Sequence, residues 1–321
     1  MATSTSPTVA EQFTEVFNRN IEKIERNVYD KSPAEYDKIL KVEKTTRLTD
    51  EFLGFQGIGR PVRNRDLEPL PQVSPNKTYK SVIRQVPYRS QLTIEESLMR
   101  YSESPEIFNN MEDMVESEKS LKDAVASDLF NNGFSAQATD FTEADNTQRA
   151  LFSTGHVTED NNTIYSNYYN VAVPPNTDTL YLIIGQYLSR LKDGGGNFLG
   201  MDGEFTIITP TLNSEFMKAA DQIVMSMDNP ETANRAANTV NRRFKLKHLP
   251  LNNLTSSTKW YVTVGTDRRY YPLVMRVGID REITPLEKLG PQNPHAYVST
   301  LRTHFGVGLR YSARGVVAVG S

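Results

Sequence analysis

The residues that could carry chemistry are few and scattered. Histidine occurs at His156, His248, His295 and His304. None has a second histidine or a carboxylate at HExxH spacing, which would turn two imidazoles toward one zinc ion. Each is read as a surface residue or as a core residue with its hydrogen bonds satisfied. Cysteine is absent, which removes disulfides, thiolate metal sites and cysteine nucleophiles together. No GxSxG elbow presents a serine. Gly194-Gly195-Gly196 follows Lys192 without the GK[ST] ending that holds phosphate and magnesium, so it reads as a helix stop. Gly306-Val307-Gly308 is a fragment of a dinucleotide fingerprint inside a strand-like run, where glycines mark a bulge or a close backbone approach.

Carboxylates crowd the stretch from Glu103 to Asp128. Two of them could serve a glycosidase, but a solvated helix face is the plainer reading. Asp267-Arg268-Arg269-Tyr270-Tyr271 interleaves bases and aromatics. It could stack single-stranded bases, and aromatic packing at a strand edge accounts for it more simply. No catalytic residue, cofactor or metal is therefore expected.

The elements that would position these groups are better defined than the groups themselves. The 321 residues are enough for one large or two modest domains, with 38% hydrophobic and 23% charged residues as in ordinary folded proteins. No run of 18 apolar residues crosses a membrane, and MATSTSPTVAEQFTEVFNRN lacks the basic start and apolar centre of a secretory signal. The net charge is −3, yet Gln91–Ala150 holds 13 acids against 4 bases while Asn241–Ser321 holds 13 bases against 4 acids. Such segments are solvated faces of opposite sign, or they attract each other within a subunit or between neighbours. The acidic part opposes a surface built to neutralise phosphates.

A short amphipathic helix is expected from Val9 to about Val28, with Phe13, Val16, Phe17, Ile21 and Ile24 on one side. Gly54, Gly57, Gly59, Pro61, Pro69, Pro71 and Pro75, interleaved with Arg60, Arg63 and Arg65, forbid a helix and favour a long projecting loop. A strand is expected over Thr78–Tyr88, with Pro87 at its end or on an edge. Thr93 to Glu96 has capping-box spacing. Ser104-Pro105 opens a long helix with Ile107, Met111, Met114, Val115, Leu121, Val125 and Leu129 as its apolar stripe, and Asn131-Asn132-Gly133 stops it. Further on come a helix over Asp178–Leu191, a strand over Glu204–Thr209 and a helix from Asn213 to about Met227. Strands follow over Trp260–Val264, Tyr270–Val277, Phe305–Tyr311 and Val316–Val319. The class is α+β.

Asp145 to Asn167 reads DNTQRALFSTGHVTEDNNTIYSN. It resembles the stretch of Mu-type phage major head proteins in which an Ala-Leu-Phe-Ser run and a histidine precede a polar turn and an asparagine. The downstream order IITPTLNSEFMKAADQI, NTVNRRFKL and TKWYVTVGT, closing on Thr303–Gly308 through Arg314-Gly315, is similar too. The resemblance covers nearly the whole chain from about residue 30.

It implies the HK97-like capsid fold, with an N-terminal arm over 1–50 and an extended β-hairpin loop over 51–90. A peripheral domain with a spine helix would span 91–150, a mixed α/β axial domain 151–284, and C-terminal strands shared between the two 285–321. The function implied is a major capsid protein, a structural subunit and no enzyme, forming hexamers and pentamers of an icosahedral phage head around double-stranded DNA bound without sequence specificity. Implied partners are further copies of itself, a portal and decoration proteins, with no membrane. The place is the virion shell, assembled in the host cytoplasm. With the chain beginning at Met1, a separate scaffold protein is expected, and no lysine crosslink is assumed. The loop bases Arg60, Arg63 and Arg65, with Lys77, Lys80 and Arg84, would meet an acidic helix face around Glu112, Glu116 and Glu118 of an adjacent subunit. The alternatives are a nanocompartment shell of the same fold, another virion component such as a tail protein, and a carboxylate-dependent hydrolase.

Overall fold

The computed structural model describes residues 9–31, 34–55, 77–100, 104–158, 164–188, 203–226, 239–267, 271–290 and 295–320. The chain opens with helices α1 (Val9–Lys31) and α2 (Tyr36–Ile39), then strands β1 (Lys41–Lys44), β2 (Thr49–Phe55), β3 (Lys77–Arg84) and β4 (Val86–Glu95). Helices α3 (Glu96–Arg100) and α4 (Ser104–Asn131) follow, then short strands β5 (Asp140–Thr142), β6 (His156–Val157), β7 (Ile164–Tyr165) and β8 (Tyr168–Tyr169). Helix α5 (Thr177–Leu182) continues as a π-turn over Ile183–Leu188. Strand β9 (Glu204–Pro210), helices α6 (Ser214–Met225) and α7 (Thr239–Arg243), and strands β10 (Lys245–Leu251) and β11 (Trp260–Val264) come next. Strands β12 (Leu273–Ile283), β13 (Glu287–Lys288), β14 (Ala296–Leu309) and β15 (Val316–Val319) close the chain.

Two five-stranded sheets carry most of the backbone pairing. In one, β1 lies parallel to β12, β12 runs antiparallel to β14, and β14 is flanked by β13 and by β4. In the other the order is β10-β9-β11-β15-β8, with parallel pairs at both edges. A three-stranded sheet β2-β3-β5 carries the hairpin strands, and β6 pairs with β7. Pro87 sits within β4, which bonds only β14, so its missing N–H falls on an open edge.

Helix α4 has 28 residues, a rod of roughly 40 Å, and it spans two apolar cores. Its first half packs Ile107, Met111, Met114 and Val115 with Phe17, Ile24 and Val28 of α1 and with Tyr297 and Leu301 of β14. Its last turns pack Ala126, Leu129 and Phe130 into the larger core under the β8–β11 and β15 sheet, beside Phe152, Trp260 and Tyr261. Between them the buried face of α4 is polar: Glu118, Lys119, Lys122, Asp123 and Ser127. The expected stripe continues through Leu121 and Val125, half-buried and packed against the larger core, with the polar band beside them. Buried charge is tolerated there because each member named below finds a partner.

Other boundaries moved for local reasons. Val16 is 49% exposed, so the packed face of α1 is Phe17, Ile24 and Val28, with Ile21 and Tyr29 half-buried beside them. Thr93 is no helix cap: β4 runs on to Glu95 because β14 supplies partners through Glu95↔Ala296. The Thr78–Tyr88 strand is two strands, β3 and β4, belonging to different sheets and joined at Gln85. The helix expected over Asp178–Leu191 begins at Thr177 with Asn176 capping Thr179, and its part beyond residue 188 lies outside the described residues. Asn213 caps α6 by accepting from the N–H groups of Glu215 and Phe216. Strand β10 escapes a sequence reading because Lys245, Lys247 and Pro250 break its apolar pattern; Pro250 is accommodated on a sheet edge.

Candidate assembly surface

Two clusters have the outward form of catalytic machinery. On β10, the His248 Nδ1 lies 2.6 Å from Asp221 Oδ1 of α6, and its Nε2 lies 2.8 Å from Thr209 Oγ1 of β9. This is an acid–imidazole–hydroxyl chain, but Thr209 is 0% exposed, so no substrate atom reaches the hydroxyl. The cluster ties α6 across two strands. In the second, His156 Nδ1 lies 2.6 Å from Glu143 Oε1, while Nε2 faces Asn167 Oδ1 at 3.1 Å and Leu151 O at 3.2 Å. Asn167 is itself fixed, donating to Leu151 O and Ala313 O and accepting from the Ser153 N–H. Glu143 also accepts from the Val157 N–H and pairs with the Arg149 guanidinium. Glu143, His156 and Asn167 are buried and engaged, so the cluster staples the segment after β5 to Ala313 near the end of the chain.

The buried charges of α4 behave likewise. Lys122 Nζ sits 2.7 Å from Glu118 Oε1 and 2.8 Å from Asp280 Oδ1 of β12, and Tyr29 of α1 donates to Glu118 at 2.7 Å. Burial works to lower the Lys122 ammonium, but the two carboxylates outweigh it and hold it above the usual lysine range. Burial likewise works to raise Asp280, and Lys122 outweighs it, leaving that carboxyl below the usual range. Burial, then the charge of Glu118, pushes the Tyr29 phenol up. Asp123 is pushed up by burial against two backbone N–H bonds from Glu35 and Tyr36. Among the described residues no three His, Asp or Glu side chains group as metal ligands, and Tyr271 is buried with its hydroxyl on Ile39 O, out of reach of a stacking base.

The sequence-derived contact residues fall into three groups. Arg60, Arg63 and Arg65 lie outside the described residues, as does the Lys77 side chain, although Lys77 opens β3. Lys80 and Arg84 are exposed on β3; Lys80 Nζ is 3.2 Å from Glu51 and Arg84 is 3.5 Å from Asp140. On α4, Glu112 is 3.7 Å from Lys31, and Glu116 is exposed. Glu118 is corrected: at 3% exposure it faces Lys122 and Tyr29 inside the chain. The exposed acidic face of α4 is instead Glu106, Asp113 and Glu116.

The root of the β2–β3 hairpin is tied by several side chains. From β12, Arg276 places Nε 2.8 Å from Asp50 of β2 and Nη1 2.7 Å from Glu43 of β1. Arg310, just past β14, pairs with the same Glu43. Both guanidinium carbons lie 5.6 Å from the Phe52 ring centroid. Ser81 of β3 donates to Leu309 O, and Gln85 donates to Arg276 O while accepting from the Gly278 N–H.

No protein-family profile and no curated protein sequence matches the chain. Solved structures do. The mature capsid of bacteriophage PhiM1 superposes over 90% of this chain and 87% of the other, at 11% identity with a TM-score of 0.56. The capsid of cyanophage P-SCSP1u covers 89% and 88% at 9% identity and TM-score 0.53. A virus-like particle from Pyrococcus furiosus covers 94% and 98% at 10% identity and TM-score 0.50.

The chain has the HK97-like capsid fold.

Within that fold, α4 is the long helix and β2–β3 the hairpin strands expected from the sequence order. The residues that sequence reasoning missed are the paired ones: Arg276, Arg310, Glu43, Asp50, Lys122 and Asp280. Their partners are distant in the chain, 233 positions for Glu43 and Arg276, and no local pattern signals them. One signal was present: the Gly306-Val307-Gly308 run marks the place where β3 crosses β14.

Proposed function

We propose that this chain is a major capsid protein: a structural subunit that assembles as hexamers and pentamers into an icosahedral phage head around double-stranded DNA. The observation that carries the reading is reciprocal coverage. Capsid shells match about nine-tenths of this chain and most of their own length, so no large part is left over for another activity. The engaged Glu143–His156–Asn167 and Asp221–His248–Thr209 clusters support a structural rather than a catalytic role. Kinship with Mu-type head proteins rests on the Asp145–Asn167 run, whose Glu143–His156–Asn167 staple gives that run a folding reason. The proposed division is an arm over 1–50, a hairpin over 51–90, a peripheral part over 91–150, an axial part over 151–284 and shared strands over 285–321. A scaffold, a portal and packaged DNA are the proposed partners, and the virion shell, assembled in the host cytoplasm, is the proposed place.

For contacts between subunits, the loop bases Arg60, Arg63 and Arg65 with Lys77, Lys80 and Arg84 are proposed to meet the acidic face of a neighbouring α4 at Glu112 and Glu116, with Glu106 and Asp113 added and Glu118 removed. Many weak contacts of this kind closing one shell become collectively strong. A second reading is a shell of the same fold that encloses protein cargo, since the chain is also similar in fold to a virus-like particle from Pyrococcus furiosus and fold alone does not separate the two. Expression with scaffold and portal partners, followed by nucleic-acid analysis of purified particles, separates the two: packaged double-stranded DNA supports the head, and nuclease-resistant emptiness with bound protein supports the cargo shell.

A further inference from the structure

Four features converge at the ends of β2 and β3 that pack on β12 and β14. Both hairpin strands are tied, β2 through Asp50 and Phe52 and β3 through Ser81 and the adjoining Gln85. The ties reach three separate strands, β1, β12 and the end of β14, so no single-strand shift releases them. Two carboxylates (Glu43, Asp50) are held by two guanidiniums (Arg276, Arg310), with Lys41 at the rim 3.8 Å from Glu43, and Asp50 is 5% exposed. A desolvated, hydrogen-bonded ion cluster is costly to break by removing one partner. Beneath it β3 lies directly on β14: a β-carbon at Gly308 would stand 2.9 Å from Ile83 Cγ1, and one at Gly306 would stand 2.9 Å from the Arg84 carbonyl carbon. The Ile83 side chain and the Arg84 backbone therefore fill the crossing, with no side chain from positions 306 and 308 between the strands.

We propose that Glu43, Asp50, Phe52, Arg276 and Arg310 form a clamp that sets the angle at which the hairpin leaves the body. Resting on the capsid reading, this makes the clamp a determinant of shell curvature. A hairpin that reaches a neighbour at one fixed angle gives one preferred angle between subunits, and repeated contacts then close a shell of one diameter. A hairpin free to swing at its root accepts several angles and several closures. Arg310 and Phe52 are the positions to vary, because Arg310→Gln leaves Arg276 on both Glu43 and Asp50, and Phe52→Leu leaves no charge unpaired.

The test uses the full chain, wild type and the variants Arg310→Gln and Phe52→Leu, with circular dichroism confirming that each is folded. Backbone hydrogen exchange across β2 and β3 is measured on unassembled subunits, and particle diameters are measured by electron microscopy. The clamp predicts faster exchange in β2 and β3 in both variants, with the α4 amides unchanged, and loss of the single wild-type diameter in favour of mixed shells or tubes. Folded variants with wild-type exchange and the wild-type diameter overturn it. If the wild type forms no shells even when expressed with its scaffold partner, the capsid reading fails, and the exchange measurement alone decides the clamp: faster exchange supports it and unchanged exchange overturns it. Should one variant fail to fold, the other decides by the same readouts.

Discussion

Arg84 passes so close to Gly306 that a β-carbon at 306 would stand 2.9 Å from its carbonyl carbon and nearer still to its oxygen. Backbone cannot retreat as a side-chain tip can, so Gly306→Ala is expected to destabilise the chain by about 1–3 kcal/mol, the usual cost of forcing extra atoms into a packed site. Gly185, which has nothing within 4 Å of its would-be β-carbon, is the control. Gly185→Ala should leave the urea midpoint unchanged or slightly raised.

Lys122→Met removes the cation between Glu118 and Asp280 and leaves Glu118 buried with a negative charge. The expected loss is about 3–5 kcal/mol in chemical denaturation. Adding Glu118→Leu should recover part of that loss, because the uncompensated charge goes with it.

The same network gives a pH dependence. Asp280 is held below the ordinary carboxylate range in the folded chain, so it contributes stability above its unfolded pKa and loses that contribution as pH falls through the depressed folded value. Lys122 is held above the ordinary lysine range, so its contribution is complete below the unfolded value and lost only as pH rises through the raised one. Stability from this pair is therefore greatest between those limits. Urea midpoints of the unassembled subunit between neutral and acid pH should fall less steeply in Asp280→Asn than in the wild type; parallel slopes would contradict the assignment.

Glu143→Gln keeps the shape of the staple and an acceptor for the Val157 N–H, but removes the charge facing His156 and Arg149. A loss of about 1–3 kcal/mol is expected, since buried His156 loses its carboxylate partner and the partly exposed Arg149 keeps only Asp145. Thermal unfolding of the isolated variant measures it.

Asp113 and Glu116 are exposed on α4, so Asp113→Lys with Glu116→Lys should leave subunit stability within about 0.5 kcal/mol of the wild type. Under the proposed loop contact it should also reduce particle yield, as should Arg63→Glu with Arg65→Glu. Wild-type particle yield in both double variants would remove that contact from the account.

What could be read from the sequence follows how far each signal reaches along the chain. Helix α4 is legible because its Ser104-Pro105 start, its apolar stripe and its Asn131-Asn132-Gly133 stop are all local. Strands β11 and β15 are legible because WYVTV and VVAV are dense runs of strand formers, and both were placed to the residue. The polar middle of α4 is illegible: Glu118, Lys122 and Asp123 look like a solvated face, and only distant partners turn them inward, Tyr29 for Glu118, Glu35 and Tyr36 for Asp123, and Asp280, 158 positions away, for Lys122. The hairpin root fails for the same reason, because Glu43, Arg276 and Arg310 meet only after the sheet has formed. Glycine run 306–308 is the exception, a local mark of a non-local crossing.

The most direct test is negative-stain electron microscopy of the full chain expressed with its scaffold partner. Closed shells, or rings of hexamers and pentamers, are the predicted result. A compact monomer that persists with the scaffold present would contradict the capsid reading and return attention to the acidic face of α4.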